Sequence, residues 1–222
     1  ENEERREIIR LLTEFANTIR PKLDEMKDSY WLLAQVDAIR AKNRLAKQFH
    51  AIEPIVKSQA YVDWVQAVHP LLQRSLTKQG KKVVPLDLTL SSDQHLLIIS
   101  GPNAGGKSVC LKTAGLLQYM LQCGLSVPMA ENSTMGIFES IMIDIGDEQS
   151  IENDLSTYSS HLLNMKMMMR HCNPKTLLLI DEFGSGTEPQ IGGAMAQAML
   201  HQFYHKKTFG VITTHYQNLK HF

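Results

Sequence analysis

The chain has 222 residues, 43% of them apolar, which suits one large globular domain or a domain with an appendage and excludes a disordered chain. Lys plus Arg equals Asp plus Glu at 23 each, so no overall charge holds the chain on nucleic acid or an anionic membrane, and any such contact is local. Cys110, Cys123 and Cys172 form no CxxC pair and argue against a disulfide framework and for a reducing, cytoplasmic compartment; no apolar run reaches the roughly 18 residues of a membrane span.

From residue 1 to about 50 the pattern is helical. Ile8, Leu12, Phe15 and Ile19 share a face, and after Pro21 the series Met26, Tyr30, Leu33 and Val36 resumes it. Clean heptads are missing, so these segments are expected to be helices packed on the body, with that stripe buried, rather than a coiled-coil arm. Arg40, Lys42, Arg44 and Lys47 read as a solvated face, with phosphate contact as the alternative. Pro54 and Pro70 interrupt the pattern, and SLTKQGKK at 75–82 reads as a turn or linker. A helical segment over 1–78 and a second domain over 79–222 are therefore expected.

Beyond the linker, Val84, Leu86, Leu88 and Leu90 alternate as in a half-buried strand, and HLLIIS at 95–100 is continuously apolar, as in a strand covered on both faces. Lys107 to Cys123 reads as a helix closed by Gly124. MGIFESIMIDI then reads as two short strands or one bent one, 155–172 as a helix, TLLLI at 176–180 as a buried strand, 191–207 as a helix and TFGVITT as a last strand. Alternating strands and helices predict an α/β layered sheet with helices on both faces. The chain begins with helical character and stops just after an apolar run, so it is expected to be a piece of a longer protein, truncated at its C-terminal end.

GPNAGGKS at 101–108 fits GxxxxGK[ST], and it stands between a buried strand and a helix as that pattern requires. Such glycines let backbone N–H groups turn inward as a nest, and the helix adds its positive N-terminal end, so a triphosphate can be cradled. Gly101, Pro102, Asn103, Ala104, Gly105, Gly106, Lys107, Ser108 and Val109 are thus the expected nucleotide-binding loop. Lys107 would reach the β and γ phosphates, and the Ser108 hydroxyl would take a place on magnesium. In TLLLIDE a strand delivers Asp181 to the sheet edge, where it can hold the magnesium shell, and Glu182 can poise a water for attack. His215, at the end of ITTHY, could hydrogen-bond the γ phosphate and report its loss.

With these residues in place, the chain resembles the MutS family of ABC-type ATPases. The motifs that carry the resemblance are GPNAGGKS, STMGIFESI at 133–141, DEQSIENDLSTYSSHLLNM at 147–165, LLLIDEFGSGTEP and TTHY, in matching order over roughly 70–222. AVHPLL at 67–72, VVP at 83–85 and STYSSH are similar to the MutS type 2 subfamily, and residues 1–60 are similar to its lever helices. The resemblance implies a P-loop ATPase domain of ABC type behind a helical lever segment. It further implies a homodimer in which each nucleotide lies between two subunits, with Ser156, beside Thr157, reaching the γ phosphate of the other subunit. The serine run also reads as a helix N-cap, and both can hold. Asn103 is implied at the γ phosphate or the attacking water, and Val83 and Val84 against adenine.

Three functions follow. The first is an ATP-hydrolysing protein whose dimer opens and closes around mismatched or branched DNA, restraining recombination; some relatives implied by the resemblance act instead on collided ribosomes. The second is a transporter nucleotide-binding domain, which would carry an LSGGQ-like signature where this chain has STYSS. The third is a scaffold that binds ATP without cleaving it, for which Glu182 has no use. The nuclease domain implied at the end of type 2 chains is not expected within these residues. Met165, Met167, Met168 and Met169 read as helix packing rather than a soft-metal box, and His201 with His205 as a helix surface.

Overall fold

The computed structural model describes residues 2–101, 106–145, 154–185, 188–216 and Leu219, with the backbone alone for 154–158 and Pro189. The chain divides into two compact units, Glu1–Lys47 and Gln48–Phe222. In the first, α1 (Asn2–Ile19) ends in a 3-10 turn, Arg20–Lys22, and α2 (Leu23–Phe49) follows. Pro21 accounts for the break, because its missing N–H cannot continue the helical ladder. The stripe expected to be buried is instead exposed: no described residue of 2–47 is buried, and Phe15 and Trp31 stand 65% and 66% accessible. Arg10 pairs with Glu7 at 2.7 Å and with Glu14 at 3.1 Å on this open surface.

Among its described residues the second unit contains two four-stranded sheets. A mixed sheet has the order β1 (Ile55–Lys57), β5 (Thr134–Gly136), β2 (Val62–Ala67), β3 (Leu86–Leu90). Trp64, Leu88 and Leu90 alternate inward while Asp87 and Thr89 face water. Gln66 adopts φ +51° where the register shifts between Trp64 and Ala67, and its N–H donates to Asp87 Oδ1 at 2.7 Å. The unit boundary therefore falls at 47/48 rather than at 78/79, since β1 and β2 belong to this sheet. The first half of the stretch read as a linker, 75–78, is the end of α3 (Pro70–Lys78), which starts on Pro70 with His69 as its cap, and only 79–82 lie outside the helix.

The other sheet is wholly parallel, in the order β4 (Leu96–Ser100), β8 (Phe209–Thr214), β7 (Thr176–Ile180), β6 (Ser140–Asp144). Helices cover both faces, as expected. Leu177, Leu179 and Val211 pack with Leu111 and Leu117 of α4 (Lys107–Gln122), in a core shared with Trp64 and Met135 of the mixed sheet. From the other face, Leu178, Ile180 and Ile212 pack with Met165 and Met168 of α5 (Asp154–His171) and Leu200 and Phe203 of α6 (Pro189–His205). This two-sided burial is why β7 and β8 read as unbroken apolar runs. β4 is only half-buried because, among the described residues, it forms the sheet's edge. Among the described residues, no helix is long and apolar enough to cross a membrane.

Candidate functional site

Parallel strands bring all their carboxyl ends to one edge, the usual place for a ligand in such sheets. The register aligns Ser100 with Thr214, Ile180 with Ile212 and Asp144 with Ile180. The chain leaving β4 and the chain leaving β7 therefore emerge on the same side, flanking the end of β8.

After Ser100 the chain turns through Gly101 and enters α4 at Lys107. Gly106 is the N-cap, left-handed at φ +79° and ψ +11°, a conformation glycine adopts without strain, and it has no side chain of its own with which to cap the helix. The positive end of α4 is thus left for an anion. Lys107 is buried, and its Nζ donates to the carbonyl of Gly101. Among the described residues this is the bond its ammonium makes, and one neutral carbonyl is a poor match for a buried cation with three donors, so the lysine is suited to an anionic ligand. Ser108 is half-buried in the first turn and Val109 is exposed. Pro102, Asn103, Ala104 and Gly105 lie outside the described residues. Cys110, one turn further along, has its thiol pushed up by burial, which favours the protonated form.

The acidic turn follows β7. Asp181 N–H donates to the Asp144 carbonyl at 2.9 Å, and the Thr213 hydroxyl donates to Asp181 Oδ1. Glu182 is exposed at φ +50°, a conformation L-residues rarely adopt, and its N–H donates to Thr213 Oγ1 at 2.9 Å. Phe183 N–H donates to the Thr213 carbonyl at 2.8 Å, and the Tyr216 hydroxyl to the Gly184 carbonyl at 2.9 Å. Strained backbone held by so many bonds is enriched at functional turns. His215 follows β8 and is exposed.

Behind Asp181 lies a buried carboxylate that sequence reasoning left without a role. Asp144, at the end of β6, accepts from His161 Nδ1 at 2.7 Å and from Asn164 Nδ2 at 2.9 Å, both on α5. Asp144, His161, Asp181 and Glu182 line one cleft, floored by Met165, Phe183 and Met199. The quoted run STYSSHLLNM contained His161 and Asn164, but nothing local pairs them with Asp144. Ser156 and Thr157 fall in the first turn of α5, and their side chains lie outside the described part. Val83 lines a separate groove with Gln73 and Thr77 of α3, and Val84 is exposed. Among the described residues no three His, Cys, Asp or Glu side chains group as a metal site; the oxygens of Ser108 and Asp181 are the hard donors suited to magnesium.

Residues 97–222 match the family model described as MutS domain V. Endonuclease MutS2 of Carboxydothermus hydrogenoformans is 43% identical over 219 residues, which is 99% of this chain and 27% of that protein. Endonuclease MutS2 of Geobacillus sp. (strain WCH70) is 42% identical over 217 residues, and that of Lactiplantibacillus plantarum 44% over 217, each covering 98% of the chain and 27% of the relative. The chain thus spans about a quarter of the length of these relatives.

Proposed function

The chain belongs to the MutS family, whose domain V it carries, and on that premise we propose that it binds ATP at the carboxyl edge of the parallel sheet and hydrolyses it to ADP and phosphate. The observation that supports this most directly is the pairing, on strands flanking β8, of a glycine-capped helix start holding a buried Lys107 with a strained acidic turn holding Asp181 and Glu182. Lys107 and the loop Gly101–Val109 hold the β and γ phosphates. Ser108 and Asp181 hold magnesium, which supplies charge neutralisation at the phosphates when bound. Glu182 takes a proton from water as its oxygen bonds to the γ phosphorus; the bond to the β-phosphate oxygen breaks, and ADP leaves with that electron pair. Asn103 and His215 contact the γ phosphate or the attacking water, and Val83 with Val84 borders the adenine.

The site is completed in trans: Ser156 and Thr157, at the positive end of α5, meet the γ phosphate of the nucleotide on a second subunit, so triphosphate joins the homodimer more strongly than diphosphate. In the intact protein this cycle works a clamp on mismatched or branched DNA in the cytoplasm. The name of the relatives, Endonuclease MutS2, supports a nucleic acid as the polymer handled.

The test is ATP turnover by the full-length protein as a function of its concentration. Specific activity should rise steeply with concentration, and Lys107→Ala should lower kcat by roughly 100- to 1,000-fold, the usual cost of one preorganised charge-stabilising donor. Undiminished turnover in Lys107→Ala would remove the assignment, and a specific activity independent of concentration would remove the shared site. Binding assays across a salt series with four-way junctions, duplex DNA and ribosomes identify the polymer.

A further inference from the structure

We propose that Thr213 is the positioning residue of the acidic pair: its one hydroxyl sets both the carboxylate of Asp181 and the left-handed turn that presents Glu182. This deepens the ATPase reading and rests on it.

The β7–β8 ladder stops at Ile180 and Ile212. One step further, regular pairing would carry Asp181 and Glu182 along in extended backbone, with their side chains on opposite faces of the sheet. Thr213 interrupts that pattern. Its hydroxyl gives its single proton to Asp181 Oδ1 and uses a lone pair to accept the Glu182 N–H at 2.9 Å, two roles one hydroxyl can fill together. Its own carbonyl then accepts Phe183 N–H at 2.8 Å. A single residue of β8 thereby bonds three consecutive residues of the turn, two of them through a side chain that replaces the ladder where Glu182 swings to φ +50°.

The placement is rigid. Thr213 is fully buried, and β-branching restricts its χ1 in a strand. Asp181 is pinned from behind by its N–H bond to the Asp144 carbonyl, and Ser185 N–H closes the turn onto the Glu182 carbonyl at 2.9 Å. Among these contacts, only the Thr213 hydroxyl touches both acids. Valine has nearly the same shape without the hydroxyl, so Thr213→Val would orphan the Glu182 N–H and release one Asp181 oxygen while keeping the packing. Serine keeps the hydroxyl and loses only the methyl.

The experiment uses the full-length protein, measuring kcat, the KM for ATP and the magnesium concentration for half-maximal rate. Thr213→Val is expected to lower kcat by roughly 10- to 100-fold, the scale of a small misplacement of a catalytic group, with KM within about threefold. The magnesium requirement should rise, and Thr213→Ser should restore kcat to within about threefold of wild type. If Thr213→Val does not fold, Thr213→Ala carries the same expectation. Thr176→Val is the control for fold alone: it removes an equally buried hydroxyl, which accepts from Asn173 N–H at the far end of β7.

A folded Thr213→Val or Thr213→Ala protein with wild-type kcat and magnesium requirement would overturn the proposal, as would a kcat loss matched by Thr176→Val. Glu182→Gln separates this result from failure of the underlying reading. If wild type hydrolyses ATP and Glu182→Gln does not, a null result at Thr213 counts against this proposal alone. Absence of magnesium-dependent hydrolysis by wild type overturns both.

Discussion

Gly184, at the far end of the acidic turn, allows a steric cost to be worked out atom by atom. Its φ is +85°, and a Cβ there would stand 2.8 Å from Tyr216 Cε2, 3.0 Å from Ala196 Cβ and 3.1 Å from the Gly192 carbonyl. In Gly184→Ala the left-handed backbone costs about 1–2 kcal/mol. The Tyr216 ring can swing aside, but then its hydroxyl loses the Gly184 carbonyl, about 1 kcal/mol more. The two α6 contacts involve backbone and a short side chain, which yield little, and overpacking of this kind adds about 1–2 kcal/mol. The sum is about 3–5 kcal/mol, or a fall in Tm of roughly 10 °C at this chain length. Gly80→Ala is the internal control: its φ is +69° with nothing within 4 Å of the added Cβ, so it should cost only the backbone part, about 1–2 kcal/mol. Urea titrations at constant m-value measure both. Equal losses at the two positions would show that crowding against Tyr216 and α6 contributes nothing, and the account of the turn as tightly buttressed would fall.

Two further outcomes follow from polar groups that are at least partly buried. His69 Nδ1 accepts the Leu72 N–H at 3.3 Å as the cap of α3, and desolvation foremost, with Lys112 adding to it, holds its pKa below the ordinary histidine value. The unfolded chain then takes the proton first, so this stabilisation is complete above about pH 6.5 and is lost as pH falls towards the lower folded value, where the protonated ring can no longer accept. The unfolding free energy from urea titrations should drop more between pH 7.5 and 5 in wild type than in His69→Asn, whose cap does not titrate; identical pH profiles would count against the cap. At the end of β6, Asp144→Ala leaves His161 Nδ1 and Asn164 Nδ2 without their acceptor and should cost about 2–4 kcal/mol, with Asp144→Asn losing roughly half of that. A cost below about 0.5 kcal/mol for Asp144→Ala would show that α5 is held without the carboxylate.

The difference between what the sequence disclosed and what it hid is one of range. TLLLI and GVITT were legible because burial on both faces leaves an unbroken apolar signal, and the start of α4 because a glycine, Gly106, stands directly before Lys107. Thr213, Asp144 and His161 were not, since their partners lie 17 to 32 residues away and become neighbours only through the strand order. β1 and β2 failed for the same reason. They are three and six residues long, and β1 pairs in parallel with a strand almost 80 positions later, Ile55 against Thr134, so no local period announces them. Pro70, read as a break, is instead the first residue of α3. The consequence can be measured. A chain cut where composition suggests, at residue 79, loses β1, β2 and α3, and strips Val62, Trp64 and Ala67 from a core they share with Leu88, Leu90 and Met135. Removing the Trp64 side chain alone would cost about 3–5 kcal/mol, and a domain's whole stability is about 5–15 kcal/mol, so 79–222 should show no cooperative melting. A chain of 48–222 keeps the mixed sheet entire and should unfold in one calorimetric transition. Cooperative melting of 79–222 at the temperature of 48–222 would mean that the mixed sheet contributes nothing to holding the site's strands, contrary to the core that Trp64 shares with Leu177 and Leu179.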